Sequence, residues 1–304
     1  MSQNIHVQDI MIALLVVFLW GISFVIIKLG LDQLPPFLFS ALRFALAAIP
    51  AVLFVRFPKK HWKAVVGIGF FIGVFKFSFL FLALDGHLSS GLASLLLQTQ
   101  VYFTIFLSIL LFRESITIIQ MVGALISLVG FVILLCLNSQ SYTMTGVLLI
   151  LMAGLSWGVS NMIMKSIQGV NLFRLMVWSC VIPPIPLLII SYFIETDQPM
   201  YQLAQLNLMG WLSVLFLAYF STLLAYALWG NLIRKYTAST ITPIALLIPV
   251  IGLIASNLIL NEKLLSHELV SVSIILIGLI VGVFGGYINN VASTHLINEK
   301  KGDT

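Results

Sequence analysis

Charge is what this chain has least of. Only 8% of its 304 residues are Asp, Glu, Lys or Arg, against 61% hydrophobic. Its mean hydropathy is +1.13. A soluble domain carries about a quarter charged residues, so there is too little charge here to cover a water-facing surface. A soluble enzyme and a disordered chain are excluded on that ground. Cysteine is almost absent. Cys136 and Cys180 both sit in apolar runs, so no disulfide scaffold is expected. There is no Gly-Lys-Ser/Thr phosphate loop, so the chain is not its own ATPase. No His or Cys cluster has metal-ligand spacing, and neither metal nor other cofactor is expected. His6, His61, His87, His267 and His295 fall at span ends or termini, and no catalytic pair stands at matching depth. An intramembrane enzyme, the runner-up class, therefore lacks its chemistry. The net charge of +5 is not gathered into a nucleic-acid patch.

What the chain has in abundance is long apolar runs. A bilayer core of about 30 Å needs about 20 apolar residues per helix. Runs of that kind fall near 10–31, 37–56, 64–84, 89–112, 117–137, 145–165, 172–193, 209–231, 238–260 and 267–289. Continuous apolar runs of this length do not suit β-barrel strands. The sequence thus predicts an all-α polytopic membrane protein with ten transmembrane helices. The opening MSQNIHVQD has no basic stretch of the signal-peptide kind, so the first run reads as a retained span. Basic residues alternate between the links. Arg56, Lys59, Lys60 and Lys63, then Arg113, Lys165 and Arg174, Arg234 and Lys235, and Lys300 and Lys301 fall on one side. Asp85, Glu195 and Asp197 fall on the other, where Lys263 is the loop cation. The positive-inside rule then places both termini in the cytoplasm of an inner-membrane protein.

The chain also repeats itself. Residues 20–28 read WGISFVIIK and residues 157–165 read WGVSNMIMK, an offset of 137. Glu114 is followed sixteen residues later by Gly130, and Glu262 sixteen residues later by Gly278. Two five-helix repeats are expected, 10–137 and 145–289, followed by a cytoplasmic tail, 290–304. Five is odd, so the second repeat enters the membrane inverted. Such repeats characterise transporters with a central site. Channels instead build pore rings from oligomers. The oligomeric state is not set by the sequence.

Some residues do not belong in lipid. Arg43 lies a third of the way into span two and Lys76 near the middle of span three. A Lys or Arg at a helix centre costs about 2.5–3.5 kcal/mol on insertion scales. One reading is an anion site for a substrate carboxylate. The other, for Arg43, is a structural contact or snorkelling to an interface. Lys28 and Lys165 sit at span ends, where snorkelling suffices. Span four carries Gln98, Thr99, Gln100 and Tyr102; Gln98 and Tyr102 are four apart and expected on one face. Amides can serve a small polar solute from both donor and acceptor sides, or act as glue between helices. Asn161, Tyr226, Trp229 and Asn231 are weaker candidates, and Trp20 and Trp157 could wall a cavity. Pro183, Pro184 and Pro186 interrupt span seven, and Pro243 and Pro249 interrupt span nine. Few acidic residues lie deep in the spans, which favours facilitated diffusion over proton antiport, although the mid-span Lys76 could itself carry a proton.

Ten spans, WGxSF in span one, its WGxS echo in span six, and a Glu closing each fourth span resemble the drug/metabolite transporter superfamily. GLASLLLQTQVYFTI, YALWGNLIRKY and ITPIALLIPVIGL look like its EamA branch, which includes a bacterial cysteine and O-acetylserine exporter. The resemblance implies a central cavity opened alternately to each side and an exported small polar metabolite. The alternative on the same fold is another metabolite or a drug. Its pattern carries over to Trp20, Gly21, Ser23, Arg43, Gln98, Gln100, Glu114, Trp157, Gly158, Pro249 and Glu262. Two departures stand out. Val101 occupies the first-half place of Pro249, and Lys76 is not a residue the superfamily pattern implies. Lipid and a small polar solute are the expected partners, with no nucleic acid.

Overall fold

The computed structural model describes residues 6–113, 118–136, 142–167, 169–195, 198–235, 244–245, 247–262, 266 and 269–282. Glu114, Pro243 and the tail lie outside the described residues. Six described helices are long and apolar enough to cross a membrane. They are α1 (Val7–Leu31), α3 (Lys59–Leu84), α4 (Ser90–Phe112), α6 (Met144–Lys165), α7 (Leu172–Ile194) and α8 (Leu208–Trp229). Four further apolar helices, α2 (Pro36–Val52), α5 (Ile118–Cys136), α9 (Leu247–Leu260) and α10 (Leu269–Gly282), occupy the places of the expected spans two, five, nine and ten. In lipid a backbone must satisfy its own polar groups, which is why such runs become helices.

The helix ends are written in the sequence. Ser89, Thr143, Asn171 and Asn207 accept from backbone N–H groups at the starts of α4, α6, α7 and α8. Arg113 and Asn261 take left-handed φ of 54° and 55° and end α4 and α9, each one residue before a Glu. Pro249 falls in the first turn of α9 as described, where a missing N–H breaks no helical bond. The sequence reading expected Pro249 to interrupt span nine, but the helix runs unbroken from Leu247 to Leu260. α7 does break, over residues 180–183, ahead of Pro184.

Consecutive helices run up and down. At one end Lys28 donates to the Leu84 carbonyl (2.8 Å), Leu88 forms an antiparallel bridge to Tyr142, Glu195 meets the start of α2, and Glu262 the start of α4. At the other end Trp178 donates to the Val55 carbonyl (2.8 Å), and Ala13 of α1 packs with Leu232 beyond α8. α1 packs along α9, and α4 along α6. Glycines allow both approaches. A Cβ on Gly21 would strike Ile251 and the Ile248 carbonyl, and one on Gly158 would strike Phe103 and Thr104. α5 and α10 cross where Gly123, Gly130 and Gly278 each meet the opposite helix. Large apolar side chains such as Phe54, Leu125, Phe193 and Leu258 are exposed around the bundle. Such a surface suits a lipid solvent and not water.

Besides the break in α7, three helices depart from α-helical winding. α3 contains a π-helical stretch, Gly69–Lys76, and α8 another, Phe216–Leu224. α4 tightens into a 3-10 turn at Leu97–Thr99. The α3 stretch packs on the break in α7, where side chains at Gly69 and Gly73 would overlap Ile182 and Pro183.

Candidate functional site

These irregular segments surround one internal cavity. It is lined by Trp20 and Ser23 of α1, Arg43 of α2, Lys76 and Phe77 of α3, Ser94, Gln98 and Gln100 of α4, Trp157 of α6, and Ser221 and Tyr226 from α8. Its free volume is about 40 Å³, room for about three water molecules.

Arg43 is 1% exposed, among the most buried large side chains in the protein. Its Nε and one terminal nitrogen donate to the same acceptor, Thr222 Oγ1, at 3.2 and 2.9 Å. The other terminal nitrogen, Nη1, has no hydrogen-bond partner among the described residues. Thr222 can accept from Arg43 because it sits in the π-helical stretch and donates in turn to the Leu217 carbonyl five residues back (2.7 Å). The Phe77 ring carries both cavity cations. Arg43 Cζ lies 3.9 Å from its centroid and Lys76 Nζ 3.7 Å. Lys76 Nζ is also 4.2 Å from the Trp157 ring. Desolvated cation–π contacts of this kind are worth about 2 kcal/mol each, enough to offset much of the insertion cost.

The wall opposite is knitted to α8. Trp20 donates from Nε1 to the Ser221 carbonyl (3.0 Å), and the Ser23 and Ser221 hydroxyls bond each other (2.8 Å). Trp20 also packs edge-on against Tyr226 and Trp229. Ser221, Thr222 and Phe77 were not singled out in the sequence. The available signals were a Ser-Thr pair in an apolar run, four before Tyr226, and an aromatic ring next to a mid-span Lys.

Four candidates stand elsewhere. Tyr102 does not share the cavity face with Gln98. The 3-10 turn winds three residues per turn and breaks the four-residue spacing. The Tyr102 hydroxyl bonds Ser127 of α5 (2.6 Å) instead. Asn161 donates to Thr104 of α4 (3.0 Å) and joins two helices. Asn231 is exposed, and Trp229 packs on the α1 side without lining the cavity.

A larger opening of about 820 Å³ lies at the end where the α3–α4, α5–α6 and α9–α10 links meet. Its polar groups already have work. Lys28 holds the end of α3, and Glu262 Oε2 accepts from Ser90 N (2.9 Å), Ser90 Oγ (2.9 Å), Gly91 N (3.5 Å) and Ser256 Oγ. We read it as a vestibule, since the mid-span cations lie in the smaller space. Gly91 lines the vestibule and Ser94, one turn along α4, lines the cavity. The seam between them is tight. A Cβ on Gly252 of α9 would overlap Ser94.

Known proteins resemble this chain along most of its length. The EamA-like transporter family matches residues 9–136 and 144–284. A protein of Salmonella typhimurium (strain LT2) named "Probable amino-acid metabolite efflux pump" is 37% identical over 292 residues, covering 94% of this chain and 98% of its own length. A protein of the same name from Escherichia coli (strain K12) is 36% identical, covering 91% and 95%. An "Uncharacterized transporter" of Archaeoglobus fulgidus is 31% identical, covering 90% and 98%. A solved crystal structure superposes with a TM-score of 0.61 at 19% identity over 93% of this chain and 98% of that one, a likeness of fold.

Proposed function

The chain belongs to the EamA-like transporter family, the EamA branch of the drug/metabolite transporters, and from that premise we propose that it exports small amino acids or their metabolites across the inner membrane by alternating access. It is a multi-pass membrane transporter of metabolites. The observation that carries the substrate reading is the convergence of Lys76 and Arg43 on one ring lining a single cavity. Two buried cations suit a carboxylate. Gln98 and Gln100 beside them suit its polar remainder, and Trp20 and Trp157 its flanks. The reciprocal packing supports the ten-span reading with two inverted repeats, and the basic links support cytoplasmic termini. Each WG motif lays its glycine on the fourth helix of the other half, and each Glu follows a left-handed residue.

Alternating access needs the Ser94–Gly252 seam to part toward the vestibule while the opposite end is shut, and then the reverse. No acidic residue lies among the described lining residues, so we assign facilitated exchange in preference to proton antiport. Purified protein in liposomes is expected to show saturable counterflow of labelled amino acids or their acyl derivatives, with cysteine and O-acetylserine in the panel. Loss of exchange is expected in Gln98→Ala. Folded protein that exchanges none of the panel would refute the substrate class. Counterflow that an imposed pH gradient drives uphill would refute the facilitated mechanism.

A further inference from the structure

The cavity is charged with one sign. Arg43 and Lys76 line it, and no carboxylate joins them among the described residues. The sequence gives the reason. All ten acidic residues stand at span ends, in links or in the terminal segments. The two cationic groups lie within 4 Å of one ring centroid, so within about 8 Å of each other, close enough for strong mutual repulsion in a low dielectric. Arg43 Nη1 is buried with no hydrogen-bond partner among the described residues, a donor still to be satisfied. An anion would answer both. An ammonium group would not. It would meet two basic side chains and no carboxylate, the faces of Phe77 and Trp157 already carry Arg43 and Lys76, and only the rings of Trp20 and Tyr226 and the amide oxygens of Gln98 and Gln100 are left to it among the described lining residues.

We propose that this cavity selects by net charge, taking carboxylates without a free ammonium group, such as N-acylated or deaminated amino-acid derivatives, in preference to zwitterionic amino acids of the same size. The inference rests on the export reading of the same cavity and narrows it. Specificity of this kind is set as much by repulsion of the wrong ligand as by attraction of the right one.

Isomers isolate the charge. N-acetylserine and O-acetylserine have the same atoms, and only the second carries an ammonium group. Counterflow of each is measured with the purified wild-type protein in liposomes, at mildly acidic pH so that the acetyl group does not migrate. N-acetylserine is expected to exchange at least about tenfold faster at equal subsaturating concentration. In Lys76→Gln and Arg43→Gln the ratio is expected to shrink toward parity. Equal exchange of the isomers, or a preference for O-acetylserine, overturns charge selection and leaves the export reading standing. A preference unchanged in both folded variants places it outside these residues and overturns the proposal. Exchange of neither isomer, nor of any other compound in the panel, removes the export reading and the inference with it.

Discussion

Glu262 offers the sharpest test of whether a carboxylate here holds a helix or carries a proton. A single oxygen, Oε2, accepts from Ser90 N, Ser90 Oγ, Gly91 N and Ser256 Oγ. It therefore ties the end of α9 to the first turn of α4, on the seam that separates vestibule from cavity. A negative charge at a partly buried helix start is worth about 1–2 kcal/mol. Hydrogen bonds to an ionised group add about 1.5–3 kcal/mol each, but four on one oxygen do not add fully. Glu262→Ala removes all of this and is expected to cost about 3 kcal/mol. Glu262→Gln keeps an acceptor in place and loses the charge, at about 1 kcal/mol. At about 2–4 °C per kcal/mol, the melting temperature in detergent falls by about 6–12 °C for Ala and about 2–4 °C for Gln. Counterflow by Glu262→Gln is expected within about twofold of wild type. An Ala variant melting with the wild type would refute the tie. A stable Gln variant that still exchanges substrate but loses a pH-gradient response would make Glu262 a proton carrier.

Thr222→Val leaves two Arg43 donors unpaired. It is expected to cost about 1.5–3 kcal/mol in a melt and about tenfold in counterflow, with Thr222→Ser restoring both. Tyr102→Phe removes one bond to Ser127. A loss of about 1 kcal/mol with exchange unchanged is expected, and a large loss of exchange would return Tyr102 to the cavity. Glu195, just beyond α7, has its carboxyl held above the ordinary 4.5 by burial, against N–H donation from Phe37 and Leu38, which lowers it. A raised carboxyl pKa means that the native state binds the proton more tightly than the unfolded state. Stability from this group is thus full below pH 4.5 and is lost as pH rises through the native value. Melts of Glu195→Gln across that range are expected to lose this component of the slope.

Much of the cavity was legible because membrane burial penalises its residues. Arg43 and Lys76 stood out by the cost of a mid-span charge, Gln98 and Gln100 by polarity in an apolar run, and Trp20 and Trp157 by their recurrence in register. All six line one space. Tyr102 was misplaced because the reading assumed a regular helix, and the 3-10 turn at Leu97–Thr99 is not one. Asn161 has the same chemistry as a cavity amide, and only its position beside Thr104 makes it a strut. Phe77 and Thr222 were passed over for the opposite reason. A Phe among 22, or a Thr in a long apolar run, carries no burial cost, and only their neighbours Lys76 and Ser221 could have marked them.

The irregular turns explain why the site lies where it does. Backbone that departs from the α-helix at membrane depth leaves carbonyls that lipid cannot satisfy, so it is tolerated only against protein or a cavity. Both π-helical stretches meet that condition. In α8 the Leu217 carbonyl takes the Thr222 hydroxyl and the Ser221 carbonyl takes the Trp20 indole. In α3 the stretch is backed by the break in α7, and Gly69 and Gly73 leave the room that Ile182 and Pro183 fill. Each departure therefore depends on a partner helix from the other half of the chain: α1 for the stretch in α8, and α7 for the stretch in α3. Lys76 closes the one stretch, and Thr222, in the other, receives Arg43. A motion that parts the halves takes away the groups that stabilise the π turns, and with them the placement of both cations. Opening the cavity and loosening its hold on an anion are then one event.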